Sequence, residues 1–485
     1  MIIKKLERES WMEKNSLLKK FMEYALGSGI VLVLGFISSP LNTRLFTPSE
    51  YGKYSMFLLI ANVINAIILV GLDQSFVRFF HEEESKSRGK LLYATLKIPI
   101  IMCLVVCSGI IIFYKSFSYV VFEAYSIQLL VLLVLNNFFM LFNRFSLLVI
   151  RMQQKGKMYS LMQIVQKTSN IILIVLFFIP LKNNFLALVY AFVISNMIVT
   201  IFAIYVEKEF WGFSQVRGKL KTSNSELIKF GIPLVFTFLI TWLFQSIDRI
   251  FIQYFNDYNE LGLYSAAFSI IALLNAVQSA FTMFWVPVAY EAYSKNESNV
   301  YFFEKINKIV TYLMFLIGIL MIAFKDVIVF ILGQDFREAS AIMPFLVFMP
   351  LMYTISETTV LGISFKKKSN YHVIIAFSAA LVNIVGNLVL VPSFGAKGAA
   401  ISTGLSYIIF FSMRTLISRY LYRVNYSLMK FYIMTTSLAA FAIYATFNTF
   451  DIFYMIFLVF NLFILHILYK NVWLEYLLKG LKKNN

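Results

Sequence analysis

The stretch EYGKYSMFLLIANVINA at residues 50–66 returns as ELGLYSAAFSIIALLNA at residues 260–276. At a fixed offset of 210 residues, Glu50, Gly52, Tyr54, Ser55, Ile60, Asn65 and Ala66 match Glu260, Gly262, Tyr264, Ser265, Ile270, Asn275 and Ala276. Shared hydrophobicity does not account for this, because Glu, Gly, Tyr and Asn are not interchangeable lipid-facing residues. Each copy opens an apolar run of about 20 residues, the length that crosses a hydrocarbon core as a helix. The pair implies that the second half of the chain repeats the first, and that both halves are built from spanning helices.

The same apolar character fills the chain. Its 485 residues are 60% hydrophobic and 14% charged, against roughly 45–50% and about 25% in soluble domains. Candidate spans are 21–46, 52–74, 91–114, 125–150, 158–180, 184–206, 229–254, 262–288, 306–325, 339–364, 371–391, 397–422, 429–448 and 452–474. They are continuously apolar rather than alternating, which excludes a barrel. In lipid every backbone polar group needs an internal partner, so a helix bundle remains. The expected fold is an all-α integral membrane protein of about fourteen transmembrane helices.

Lys and Arg positions set the orientation. With the N-terminus inside, the inner segments hold 32 basic residues and the outer loops hold 6, namely Lys53, Lys115, Lys182, Lys325, Arg337 and Lys397. This asymmetry places both termini in the cytoplasm. Both copies of the repeat then begin an even-numbered helix at the outer face, so the repeat is parallel. Two lobes are expected, at 1–224 (helices 1–6) and 225–424 (helices 7–12), followed by helices 13–14 and a tail at 425–485. Parallel repeats place a substrate site between lobes.

Formal net charge is +18, but no Lys/Arg stripe lies on a soluble element, which argues against nucleic acid. Cys103 and Cys107 are four apart in an apolar run and read as small buried residues. His81, His372 and His466 are scattered, so neither a metal site nor a catalytic set is expected. No cofactor is expected, apart from possible coupling to H⁺ or Na⁺.

Ionisable residues inside spans are functional candidates by default. Five are basic: Arg44, Lys97, Arg144, Lys167 and Arg249. Three are acidic, Asp73, Asp248 and Glu357, and are candidates for ion coupling. Polar stripes accompany them. Gln163, Gln166, Lys167 and Asn170 fall on one face of helix 5, and Thr241, Gln245, Arg249 and Gln253 recur every four residues on helix 7. Asn62, Asn65, Asn275, Asn383 and Asn387 add further polar faces. Such stripes suit a wet cavity in which cations meet phosphate or acidic sugars, Arg through its two-pronged fork. Interhelical hydrogen bonding and snorkelling to the interface account for the same residues without a cargo. Adjacent Asp248 and Arg249 do not face each other on a helix, and Glu357 has no evident partner.

Several stretches resemble a known family: LFTPSEYGKYSMF at 45–57, GLDQSFVRFF at 71–80, KFGIPLVFTFLITWLFQSIDRIFIQYF at 229–255, LGLYSAAF at 261–268 and NIVGNLVLVPSFGAKGAAISTGLSY at 383–407. Their order and spacing are similar to the polysaccharide-transporter branch of the multidrug/oligosaccharidyl-lipid/polysaccharide exporter superfamily, which includes Wzx-type O-antigen flippases. The resemblance implies two six-helix lobes, a V-shaped cavity, alternating access and an undecaprenyl-pyrophosphate-linked glycan as cargo. It also implies the bacterial inner membrane as location and membrane lipids, with polysaccharide polymerase machinery, as partners. The extra helix pair departs from the twelve-helix core; in the related lipid II flippases such a pair forms a groove for the lipid tail.

Two rivals follow from the same residues. A drug/cation antiporter needs cavity acids, yet basic residues outnumber acids five to three inside the spans. A membrane-embedded glycan polymerase or ligase needs catalytic groups at the outer face, where the loops are short and hold no His.

Overall fold

The computed structural model of the chain describes residues 26–122, 125–212 and 220–470; the side chains of 120–122 and 236–245 also lie outside the description. Regular structure among the described residues is helical throughout. Eleven of these helices are long and apolar enough to cross a membrane. The chain is a multi-pass, all-α membrane protein.

It divides into two compact units. One comprises residues up to Ser38 together with Lys53–Leu239, and the other Ser39–Gly52 together with residues from Ile240 onward. The first helix and the seventh expected span therefore each contribute to both units.

The first unit holds most of α1 (Leu26–Leu45) and of α2 (Pro48–Leu69), then α3 (Leu72–Phe79), α4 (Arg88–Ile112), α5 (Tyr114–Phe122), α6 (Ile127–Met152), α7 (Gly156–Leu181), α8 (Leu186–Val206), α9 (Lys208–Trp211) and the first half of α10 (Asn224–Phe255). The span expected at 52–74 is shorter than the sequence suggested. It ends at Leu69, because Val70 and Gly71 take left-handed φ values of 49° and 70°. Glycine adopts this region at no steric cost. A β-carbon on Gly71 would also sit 2.2 Å from the Gly231 carbonyl oxygen, so the chain turns where two backbones meet. Asp73 thereby moves from the last turn of the expected span to the first turn of α3. Ser75 fixes the contact by donating to the Leu227 carbonyl at 2.7 Å.

The second unit contains the rest of α10, then α11 (Tyr258–Lys295), α12 (Val300–Ala323), α13 (Lys325–Val329), α14 (Ala339–Leu346), α15 (Phe348–Thr359), α16 (Leu361–Phe365), α17 (Asn370–Leu421), α18 (Leu428–Phe447) and α19 (Ile452–Leu468). The expected span 339–364 is thus three consecutive segments. Asp257 caps α11 by accepting from the Glu260 N–H at 2.9 Å, and Asp451 caps α19 by accepting from Tyr454 N–H at 2.8 Å. Such caps satisfy orphan donors at a helix start.

α17 is a hairpin of two antiparallel arms folded at Gly395 (φ 53°, ψ −134°). Asn383 bonds Thr403 across it at 3.4 Å, and Gly398 lies against Leu390. The α7–α8 junction uses the same turn: Lys182 has φ 52° and ψ −138°. The two turns lie 213 residues apart, three more than the offset of the sequence repeat, and share one backbone geometry.

Close approach also follows the repeat. A β-carbon on Gly52 would lie 1.9 Å from the Tyr258 carbonyl oxygen, and one on Gly262 would lie 1.8 Å from that of Pro48. In each contact the partners are exchanged by the 210-residue offset. Burying apolar side chains gives little drive between helices in lipid, which is as apolar as they are, so such small-residue contacts carry the association. An aromatic core completes this unit, with Trp285, Phe303 and Phe365 buried beside Tyr293 and Tyr422. The Tyr293 and Phe365 rings stack at 3.9 Å.

Candidate functional site

In the first unit, α3 and α6 bring Asp73 and Arg144 together. Arg144 Nη2 and Nε both donate to Asp73 Oδ2, at 2.8 and 3.0 Å. The carboxylate is buried, whereas the Arg144 side chain is 43% exposed. Gln74 donates to the same oxygen at 2.8 Å.

The α7 stripe only partly converges. Gln166 donates to Asn196 Oδ1 at 2.6 Å, and Asn196 donates to Asn136 Oδ1 at 2.9 Å. This forms an amide chain through α7, α8 and α6. Gln163 instead bonds Tyr159 on its own helix. Asn170 Nδ2 and Asn65 Nδ2 are buried without a partner. Lys167 is half-buried beside this chain and has no carboxylate partner among the described residues. Lys97 is exposed on α4. Asn62 is exposed and bonds back to the Leu58 carbonyl.

The second unit gathers its polar groups on Asp248. This carboxylate, 3% exposed, accepts from Tyr264 Oη at 2.7 Å, Asn383 Nδ2 at 3.0 Å, Asn387 Nδ2 at 2.7 Å and Thr403 Oγ1 at 2.6 Å. The donors come from α11 and both arms of α17. A buried charge without such donors would be costly, and four neutral groups solvate this one. Asn383 and Asn387 are fully buried, so their amides are held on Asp248. Arg249 turns away from its neighbour. Its guanidinium lies 5.2 Å from the Phe268 ring, and its Nε is buried without a partner. Arg44 is exposed and donates to the Ile331 carbonyl at 3.3 Å. Asn275 has an unpartnered buried Oδ1. The side chain of Gln245 lies outside the description.

Glu357 does have a partner. Arg414 donates to it at 2.8 Å and to Ser356 Oγ at 2.5 Å. Tyr353 and Phe410 rings lie 5.1 and 5.0 Å from the guanidinium. Both ion-pair side chains are under 10% exposed. By loop counting Arg414 belongs to an inner connection; it is instead buried within the returning arm of α17. The missed signal is the small polar face around it, Ser406, Thr415 and Ser418, all buried.

Two loop carboxylates were also not legible as anchors. Glu207 binds Lys155 Nζ at 2.6 Å and accepts from Gln153 at 2.9 Å. Glu83 accepts the backbone N–H groups of Thr222 and Lys221 at 2.8 and 3.1 Å. Burial raises the Glu83 pKa, but these hydrogen bonds and the Lys221 charge outweigh it, and the net shift is downward.

Residues 17–293, more than half the chain, match the family described as polysaccharide biosynthesis protein. Among curated relatives, "Lsg locus putative protein 1" of Haemophilus influenzae is 21% identical over 326 residues, covering 64% of this chain and 76% of that protein. Among solved structures, the lipid II flippase MurJ in an inward closed conformation aligns with a TM-score of 0.69 at 15% identity, over 94% of this chain and 99% of that one. An inward-facing multidrug resistance MATE family transporter of the MOP superfamily aligns with a TM-score of 0.58 at 14% identity, over 86% and 95%. At these identities the likeness is one of fold. The chain belongs to the polysaccharide biosynthesis protein family and is built on the fold of the multidrug/oligosaccharidyl-lipid/polysaccharide exporter superfamily.

Proposed function

We propose that this protein is a flippase that carries an undecaprenyl-pyrophosphate-linked oligosaccharide repeat unit from the cytoplasmic to the outer leaflet of the bacterial inner membrane, by alternating access. Fourteen helices cross the membrane in this reading, with both termini inside and the two lobes at 1–224 and 225–424. The cargo feeds an O-antigen, capsule or exopolysaccharide.

One observation carries the choice of an anionic cargo. Each intramembrane acid is already held by protein donors: Asp73 by Arg144, Asp248 by four neutral groups and Glu357 by Arg414. Lys97, Lys167 and Arg249 have no carboxylate partner among the described residues. Cations left over within lipid favour a pyrophosphate or acidic sugar over a cationic drug. Family membership and the fold shared with a lipid II flippase point the same way.

Asp248 is the coupling group in this reading. Its donors come from several helices, so binding H⁺ or Na⁺ there alters their packing. Asp73 and Glu357, each engaged by an arginine, are secondary candidates.

The test follows labelled repeat units in cells lacking the gene. The lipid-linked glycan should accumulate on the cytoplasmic leaflet and reappear outside on complementation. Normal export in the deletion strain, with no paralogue present, would sink the reading.

A further inference from the structure

Lys182 occupies a backbone region that glycine alone adopts without strain. The matching turn of the second unit, 213 residues on, has glycine there: Gly395 has φ 53° and ψ −134°, Lys182 φ 52° and ψ −138°. One copy of the turn therefore carries the residue its backbone demands, and the other carries a strained lysine. The turn is held by its backbone, Lys182 N–H donating to the Phe178 carbonyl at 2.7 Å and the Lys182 carbonyl accepting from Asn184 N–H at 2.9 Å, while the Lys182 side chain is exposed.

A second cation stands at the same end of this unit. The Lys53 ammonium lies 5.7 Å from the ring centre of Phe185, three residues after Lys182. At the repeat position of Lys53 is Leu263, which is buried. So two positions that are glycine and leucine in the second copy are both lysine in the first. Between Lys182 and Phe185 the chain reads Asn183-Asn184, and the Asn184 carboxamide oxygen accepts from the Leu186 N–H at 2.9 Å. On the proposed topology this end faces outward.

We propose that Lys182 and Lys53 form a binding site for a phosphate-bearing lipid headgroup at the outer face of the first lobe, where flipped cargo is received. The choice of cargo as ligand rests on the flippase reading; bulk anionic phospholipid offers the same chemistry.

Two substitutions separate backbone from side chain. Lys182→Gly relieves the strain and removes the charge, whereas Lys182→Arg keeps both. The full chain is placed in phosphatidylcholine nanodiscs, and Tm is measured alone, with undecaprenyl pyrophosphate, and with phosphatidylglycerol at equal charge. Lys182→Gly should have the higher Tm without added lipid, yet show less than half the wild-type rise with undecaprenyl pyrophosphate; Lys182→Arg should keep the full rise. If phosphatidylglycerol reproduces the same difference, the site stands with bulk lipid as its ligand. Equal rises in wild type and Lys182→Gly with both lipids overturn the site. A wild type that fails to distinguish the two lipids counts against the flippase reading instead.

Discussion

Gly52 and Gly262 sit at a reciprocal backbone crossing, each with its α-carbon against a carbonyl on the other helix. No β-carbon fits at either position. Gly52→Ala or Gly262→Ala should therefore push α2 and α11 apart, with a loss of about 1–3 kcal/mol typical of overpacking. Thermal unfolding in detergent reads the loss. Gly29→Ala is the control, since its β-carbon meets nothing within 4 Å.

The Glu357–Arg414 pair is enclosed on every side, so removing one partner strands a charge. Glu357→Gln or Arg414→Met alone should destabilise by about 3–5 kcal/mol, and a Glu357→Leu/Arg414→Met double variant should recover most of it. A double variant no more stable than the singles would show that the two charges act separately.

Asp248→Asn retains shape but removes the charge that four donors surround. If this carboxylate couples an ion to transport, export should fall by about 5–150-fold, the span of ordinary coupling free energies. The residual export should lose its dependence on the ion gradient. Export that still follows the gradient would move coupling to Asp73 or Glu357.

Glu83 predicts an acid limb of stability. Its folded pKa is lowered, so its contribution is present above the unfolded carboxylate range and is lost as pH falls through the folded value. Glu83→Gln should flatten Tm against pH over that window and leave Tm at neutral pH below wild type. A parallel acid limb in the variant would assign the dependence elsewhere.

The fold was largely legible, because membrane helices announce themselves by length and composition and the repeat by identities such as Glu50/Glu260. The breaks were not. Val70–Gly71 interrupts an unbroken apolar run because of Gly231, which is 160 residues away in sequence. The candidate site divided in the same way. Residue type and depth singled out Asp248, Asn383 and Asn387 separately, but only packing shows that one carboxylate gathers the two amides. Arg414 escaped notice because loop counting weighs a charge by its distance from a span end, whereas its burial depends on Glu357 across the bundle.

The division of α1 and α10 between the two units has a consequence for taking the chain apart. The first unit includes residues up to Leu239, and the second reclaims Ser39–Gly52. A cut in the connection after α9 therefore yields two fragments, and neither contains the whole of a unit. Each would lack a piece that travels with the other, so separately produced halves should recover structure only when made together, as complementing fragments do.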